Sequence, residues 1–149
     1  MLGTLNTNQI NNLLSSHIVG RLACTDGEKP YIVPITYTYD GEYIYGQTNL
    51  GKKLKILRKN KHVCFEVDQM IALQNWQSVI IYGEFQELKK KEIDKAREIL
   101  FSNIFCMETG NTVHTHEHEV TTTLEEEDPM KCVMFRIKIK TITGRFQQL

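Results

Sequence analysis

The chain is patterned mostly for strands. From Tyr31 to Tyr39 it alternates, with Tyr31, Val33, Ile35, Tyr37 and Tyr39 on one face and Ile32, Pro34, Thr36 and Thr38 on the other. Pro34 cannot donate to a ladder, so there the strand is an edge, a bulge, or a place where something other than a strand lies alongside. Similar runs predict strands over Ile18–Thr25, Glu42–Gly46, His62–Asp68, Gln77–Leu88 and Cys132–Thr143, with Gly83 as a bend or bulge. Asp26-Gly27 and Asp40-Gly41 read as hairpin turns. Helical spacing appears in three places. Ile10, Leu13 and Leu14 share a face of Thr7–Ser16 behind a Thr cap, with His17 as a residue at the helix C-terminus. Leu50, Leu54 and Leu57 fall at i, i+4 and i+7 of a helix starting near Asn49, and Ile93, Ala96, Leu100 and Ile104 form one stripe of Lys89–Phe105. Gln69–Trp76 reads as a connection containing the single Trp. Six strands joined mostly by short links predict a mainly β fold, an antiparallel β-barrel with peripheral helices at its rim.

Length adds that 149 residues suit one domain with one core. Lys plus Arg and Asp plus Glu both number 18, so no overall field draws the chain to nucleic acid or to an acidic membrane surface. The N-terminus lacks the pattern of a signal peptide and no apolar run reaches membrane-span length, so the expectation is a cytoplasmic protein. Cys24, Cys64, Cys106 and Cys132 are widely spaced without a C-x-x-C pair, which argues against disulfides and a cysteine metal site.

Charge becomes informative locally. Between Glu42 and Glu66 there is no acid, yet six cations occur: Lys52, Lys53, Lys55, Arg58, Lys59 and Lys61. Thr48 and Asn49 are good N-caps, and Gly46 and Gly51 let a ligand approach the backbone. Free N–H groups, the positive end of the helix dipole and Lys52 with Lys53 would converge there, which is how a chain holds a phosphate. The alternative is a solvated basic helix face. Asn111–Asp128 stands apart as a polar, acidic excursion ending in Glu125-Glu126-Glu127-Asp128 before Pro129. His114, His116 and His118 within it could chelate a metal on an extended segment, the alternative being a solvated loop, which is the expectation here.

Several short motifs occur in a fixed order: Gly20-Arg21-Leu22-Ala23, Pro30-Tyr31-Ile32-Val33-Pro34-Ile35, Tyr43-Ile44-Tyr45-Gly46, Gly51-Lys52-Lys53, Leu57-Arg58-Lys59-Asn60, Val63-Cys64-Phe65-Glu66-Val67-Asp68, Ser78-Val79-Ile80-Ile81-Tyr82-Gly83 and Gly144-Arg145. This series resembles the flavin-binding split-barrel proteins related to pyridoxamine 5'-phosphate oxidase, and within them the branch that includes the nitroimidazole-resistance proteins. The resemblance spans nearly the whole chain. It implies a six-stranded antiparallel FMN-binding split barrel, and a homodimer with the flavin in a cleft between subunits. It also implies that the strand at Val33, Pro34, Ile35 and Thr36 lies beside the ring. Lys52 and Lys53 would then meet the phosphate, and Gln77, Ser78 and Val79 would line the cleft; Gln47, Thr48, Asn49 and Gly51 at the cap, and Trp76, join them as candidate cofactor-binding residues. One departure is Gln47, where this branch often has a histidine. A carboxamide exchanges no proton near pH 7, so a reaction relying on that histidine as acid or base is in doubt, whereas flavin binding is not.

Two functions follow. The first, preferred, is an FMN-dependent oxidoreductase passing electrons from a reduced nicotinamide to a small acceptor, in the manner of a nitroreductase or a pyridoxamine-phosphate oxidase; no catalytic triad, paired carboxylates or metal quartet is evident. The second is a non-catalytic module that stores or senses flavin or haem, for which the three loop histidines would be candidate axial ligands.

Overall fold

The computed structural model describes residues 1–108 and 132–149, with side chains left undescribed from residue 103 to the end of the third helix. Seven strands and three helices follow in the order β1 (Leu2–Thr4), α1 (Thr7–Ser16), β2 (Val19–Thr25), β3 (Pro30–Tyr39), β4 (Tyr43–Asn49), α2 (Lys52–Lys59), β5 (His62–Ala72), β6 (Asn75–Glu87), α3 (Lys90–Glu108) and β7 (Cys132–Gln147). The antiparallel order β7-β4-β3-β2-β5-β6 closes through a β6–β7 pairing into a six-stranded barrel, and β1 adds to the free side of β7. The alternating patterns dictate this. Leu22, Ile35, Tyr37, Ile44, Phe65, Val67, Val79, Ile81, Phe135 and Ile137 all point inward into one core. Gly83 sits at a register shift between β6 and β7, the anticipated bulge; a Cβ there would lie 2.5 Å from the Lys138 carbonyl oxygen.

Helix α1 starts with a capping box that the sequence hides behind its Thr. Asn6, not Thr7, is the N-cap, its side chain accepting from the Gln9 amide while the Gln9 side chain accepts from the Asn6 amide. Ile10, Leu13 and Leu14 bury in the barrel core, and His17 is the C-cap, its Nδ1 3.0 Å from the Leu13 carbonyl oxygen. Tyr37 donates from its hydroxyl to the Leu14 carbonyl at 2.6 Å, tying α1 to β3. On the outside of β4 and β7, Tyr45 and Met134 meet Leu88, Ala96 and Leu100 in a second, smaller core, so α3 covers that part of the sheet.

Two further expectations need correction, and one strand is new. The helix predicted from Asn49 begins at Lys52 with Gly51 as its N-cap; Thr48 and Asn49 are the last residues of β4, and Leu50 is 52% exposed. The leucine spacing misled because Ile56, not Leu50, joins Leu54 and Leu57 in the core. Gln69–Trp76 is no loose connection but the tip of the β5–β6 hairpin, where Gln69 pairs with Gln77 and Met70 with Trp76. β1 was not anticipated, since three residues are too few to show a period. The acidic segment Asn111–Asp128, with His114, His116 and His118, lies outside the described residues, as does the side chain of Cys106.

Candidate functional site

The barrel is not sealed along its whole length. β3 and β4 pair only at Tyr37–Gly46, Thr38–Tyr45 and Tyr39–Ile44. Beyond Gly46, strand β4 continues through Gln47, Thr48 and Asn49 as a partner of Met134, Val133 and Cys132 on β7. In the other direction β3 runs from Thr36 back to Pro30 paired with β2 alone, among the described residues. The two strands therefore part at Gly46, leaving about 20 Å of β3 edge, since each residue advances ~3.3 Å. This agrees with what Pro34 required. Arg21 of β2 lies opposite Pro34, and the missing amide costs no ladder bond on the side without a strand.

The split runs into α2. Gly51 caps the helix with an extended backbone (φ 177°, ψ −165°) and no side-chain hydrogen bond, and a Cβ added there would meet none of the described residues within 4 Å. Among the described residues no side chain caps the first-turn amides, and the positive end of the dipole lies there. Lys52 and Lys53 follow at once and differ in setting. Lys52 is exposed, and its Nζ sits 5.3 Å from the centroid of the Tyr31 ring. Lys53 is half-buried beside Cys24 of β2; burial pushes its pKa down, against a smaller opposing pull from the Cys24 sulfur, while burial pushes the Cys24 thiol up. Desolvation penalises a lone cation, so an anion here would recover energy.

The remaining expected residues divide by strand parity. Ile35 is buried and Val33 packs partly on the core, whereas Pro34 and Thr36 face outward. Val79 is fully buried in the core, and Ser78 donates from Oγ to Glu66 Oε1 at 3.1 Å on the outer face. Trp76 donates from Nε1 to Gln147 Oε1 at 3.2 Å, and Gln77 from its amide to Gln69 Oε1 at 3.1 Å. Trp76–Val79 lies on β6, three strands round the barrel from β3, at roughly 14 Å by strand spacing. One chain thus gathers Val33–Thr36, Gln47–Asn49, Gly51, Lys52 and Lys53 around the split, and holds Trp76–Val79 apart.

Two features carried no expectation. Tyr31 flanks the site under Lys52, and nothing in the sequence brings together two residues separated by a hairpin. Arg21 forms an outward-facing network: Nε donates to Glu66 Oε2 at 2.9 Å and Nη2 reaches Asp68 Oδ1. Burial opposes the guanidinium charge, but these hydrogen bonds hold its pKa above the usual value. Its signal was the i, i+2 spacing of Glu66 and Asp68 on one strand face. Register continues the outer rows as Ile32-Ala23-Cys64-Tyr82 and Pro34-Arg21-Glu66-Ile80 across β3, β2, β5 and β6. Ile32 and Tyr82 there are 65% and 57% exposed. Cys24, Cys64 and Cys132 are free thiols, and among the described residues no cluster of His, Cys, Asp and Glu could hold a metal ion. No described helix is long and apolar enough to cross a membrane.

Known proteins carry the same architecture. A solved FAD-binding protein of Mesorhizobium loti is 27% identical, with 99% of each chain covered and a TM-score of 0.78. A candidate 5-nitroimidazole antibiotic resistance protein of Bacteroides thetaiotaomicron shares the fold at 17% identity, covering 98% of this chain and 89% of that one, TM-score 0.72. An uncharacterized protein of Rhizobium meliloti (strain 1021) is 37% identical over 70 residues, 47% of this chain and 46% of the relative, so the match spans less than half of that protein. The family model described as Pyridoxamine 5'-phosphate oxidase matches residues 6–146, nearly the whole barrel, and the chain belongs to that family.

Proposed function

We propose that this chain binds a flavin, FMN, at the β3–β4 split and serves as an oxidoreductase between a reduced nicotinamide and a small acceptor. The observation that carries the reading is the run of β3 edge that no described strand pairs, close to a helix start without a side-chain cap among the described residues and bearing two adjacent lysines. The donor set suits a planar, phosphorylated group: ammonium groups and orphan amides for a dianion at one end, and a backbone edge for ring heteroatoms along the other. The Mesorhizobium loti relative, named for FAD, supports a flavin of some kind. A terminal phosphomonoester is what two neighbouring lysines at a helix start match best, and this favours FMN.

When bound, a flavin supplies hydride acceptance and electron transfer. The chain's own residues do the rest. Lys52, Lys53 and the α2 amides hold the phosphate, while the backbone of Val33–Thr36 fixes the ring edge. Gln47, at the mouth of the split, can orient a substrate by hydrogen bonding but cannot relay a proton near neutral pH. A reaction that passes hydride between two rings needs no protein acid or base at that point.

The same reading includes a symmetric dimer. The outer face carrying Ile32, Tyr82, Ile80 and Val19 is an apolar surface with the Arg21 network and Ser78 in its midst, and it borders the β3 edge. A second copy on that face would bring Trp76–Ser78 of one subunit toward the split of the other. A cytoplasmic setting, with reduced nicotinamide at hand and thiols kept free, suits this role. The absorption spectrum of the purified protein tests the cofactor: a flavin spectrum supports the reading, and a haem Soret band overturns it. Oxidation of NADH or NADPH by the loaded protein then separates an enzyme from a store.

A further inference from the structure

We propose that Tyr31 is a positioning residue for the phosphate end of the cofactor: its ring face holds the Lys52 ammonium over the split, aimed at the anion. The inference rests on the flavin reading above and goes beyond it by assigning a role to a residue that need not touch the ligand. Tyr31 is the second residue of β3, on the inward parity of the strand and packed partly on the core. Its position is therefore fixed by the barrel, not by its own flexible stem. Lys52 is the first residue of α2, exposed, with its Nζ 5.3 Å from the Tyr31 centroid. A cation within about 6 Å of a ring face is attracted by the ring quadrupole. None of the described ion pairs engages Lys52; the Asp26 carboxylate attracts it from a distance, and the Tyr31 ring is the contact that holds it in place. Lys53 gets its restraint otherwise, from burial against β2 beside Cys24.

The two lysines therefore divide the work. Lys53 is a half-buried, fixed cation, and Lys52 is an exposed one whose four-carbon stem would wander without the ring beneath it. Confining it before the ligand arrives lowers the entropic cost of binding. The benefit appears only for a ligand bearing the anion.

Calorimetry of FMN and riboflavin on wild type, Tyr31→Phe, Tyr31→Leu, Lys52→Ala and the Tyr31→Leu/Lys52→Ala double variant tests this. Tyr31→Phe keeps the ring face and should bind FMN as wild type does. Tyr31→Leu should weaken FMN about two- to fivefold, the exposed cation–π range, and leave riboflavin unchanged. In the Lys52→Ala background, Tyr31→Leu should have no further effect. A readout without ligand accompanies these: the Lys52 side-chain methylene protons should show a ring-current shift in wild type and Tyr31→Phe that Tyr31→Leu abolishes. Equal weakening of FMN and riboflavin, or an undiminished effect of Tyr31→Leu without Lys52, would overturn the positioning role while leaving the flavin site intact. A Lys52→Ala variant with wild-type FMN affinity would overturn the phosphate placement itself, and the inference with it.

Discussion

Tyr37 lies opposite Gly46, and it is the last pair that joins β3 to β4. The absence of a side chain at Gly46 is required from within the barrel, because a Cβ there would stand 2.6 Å from the Phe135 ring. The point where the barrel opens is thus set by close packing of β4 on β7, with Tyr37 anchored beneath it through its hydroxyl to α1. Above that point no described strand pairs with the edge of β3.

Gly46→Val follows directly. Forcing a branched side chain against Phe135 should cost about 1–3 kcal/mol, as overpacking does. Urea unfolding reads it as a lower midpoint. Gly51→Ala, whose added carbon meets none of the described residues on an extended backbone, should leave stability within about 0.5 kcal/mol of wild type. If the two substitutions destabilised equally, the origin assigned to the split would be wrong.

Most of this architecture is legible in the chain, and the gaps have physical causes. Six barrel strands show because their inward residues keep period two, as at Ile35 and Tyr37 or Phe135 and Ile137, even where α3 buries Met134 on the outer face. The β5–β6 tip does not show, since Met70, Ile71 and Leu73 are apolar yet exposed and break the alternation. The start of α2 was misplaced because a buried Ile56 outweighs the accidental spacing of Leu50. The cationic cap was legible as composition; its partner Tyr31 was not, because only the β3–β4 hairpin brings the ring beneath Lys52.

Lys53 gives a pH dependence with a definite sign. Burial depresses its pKa in the folded state, so between that value and the ordinary ~10.4 the unfolded chain binds more protons. The lysine's contribution to stability is least at neutral pH, where it is charged and half-buried, and rises with pH through that window. Cys24, raised by burial, acts oppositely above its ordinary value of ~8.5. Comparing wild type with Lys53→Met isolates the lysine: the variant should gain most in stability near neutral pH, with the gain shrinking on the alkaline side. FMN binding should restore the charge, and calorimetry in buffers of different ionisation enthalpy should show proton uptake at alkaline pH that Lys53→Met lacks. Proton release would contradict the assignment.

The outer face makes a separate prediction. Tyr82→Arg places a charge at the β6 end of the apolar row Ile32-Ala23-Cys64-Tyr82, at a position already more than half exposed in the single chain. It should leave the barrel folded by circular dichroism, convert a dimer to a monomer by light scattering, and weaken flavin binding. A wild-type monomer at micromolar concentration with flavin bound would refute both the dimer and the shared cleft.

Calorimetry of FMN and riboflavin with Lys52→Ala, Lys53→Ala and the double variant decides whether the lysines after Gly51 hold a cofactor phosphate. Each charge-assisted contact is worth roughly 1.5–3 kcal/mol, so each single change should weaken FMN by about ten- to a hundredfold, and the two together should nearly empty the site. Riboflavin should bind wild type much more weakly than FMN does and be almost indifferent to either lysine. Unchanged FMN affinity in the double variant, or an equal loss for riboflavin, would mean that the cationic span is a solvated helix face and the cofactor lies elsewhere.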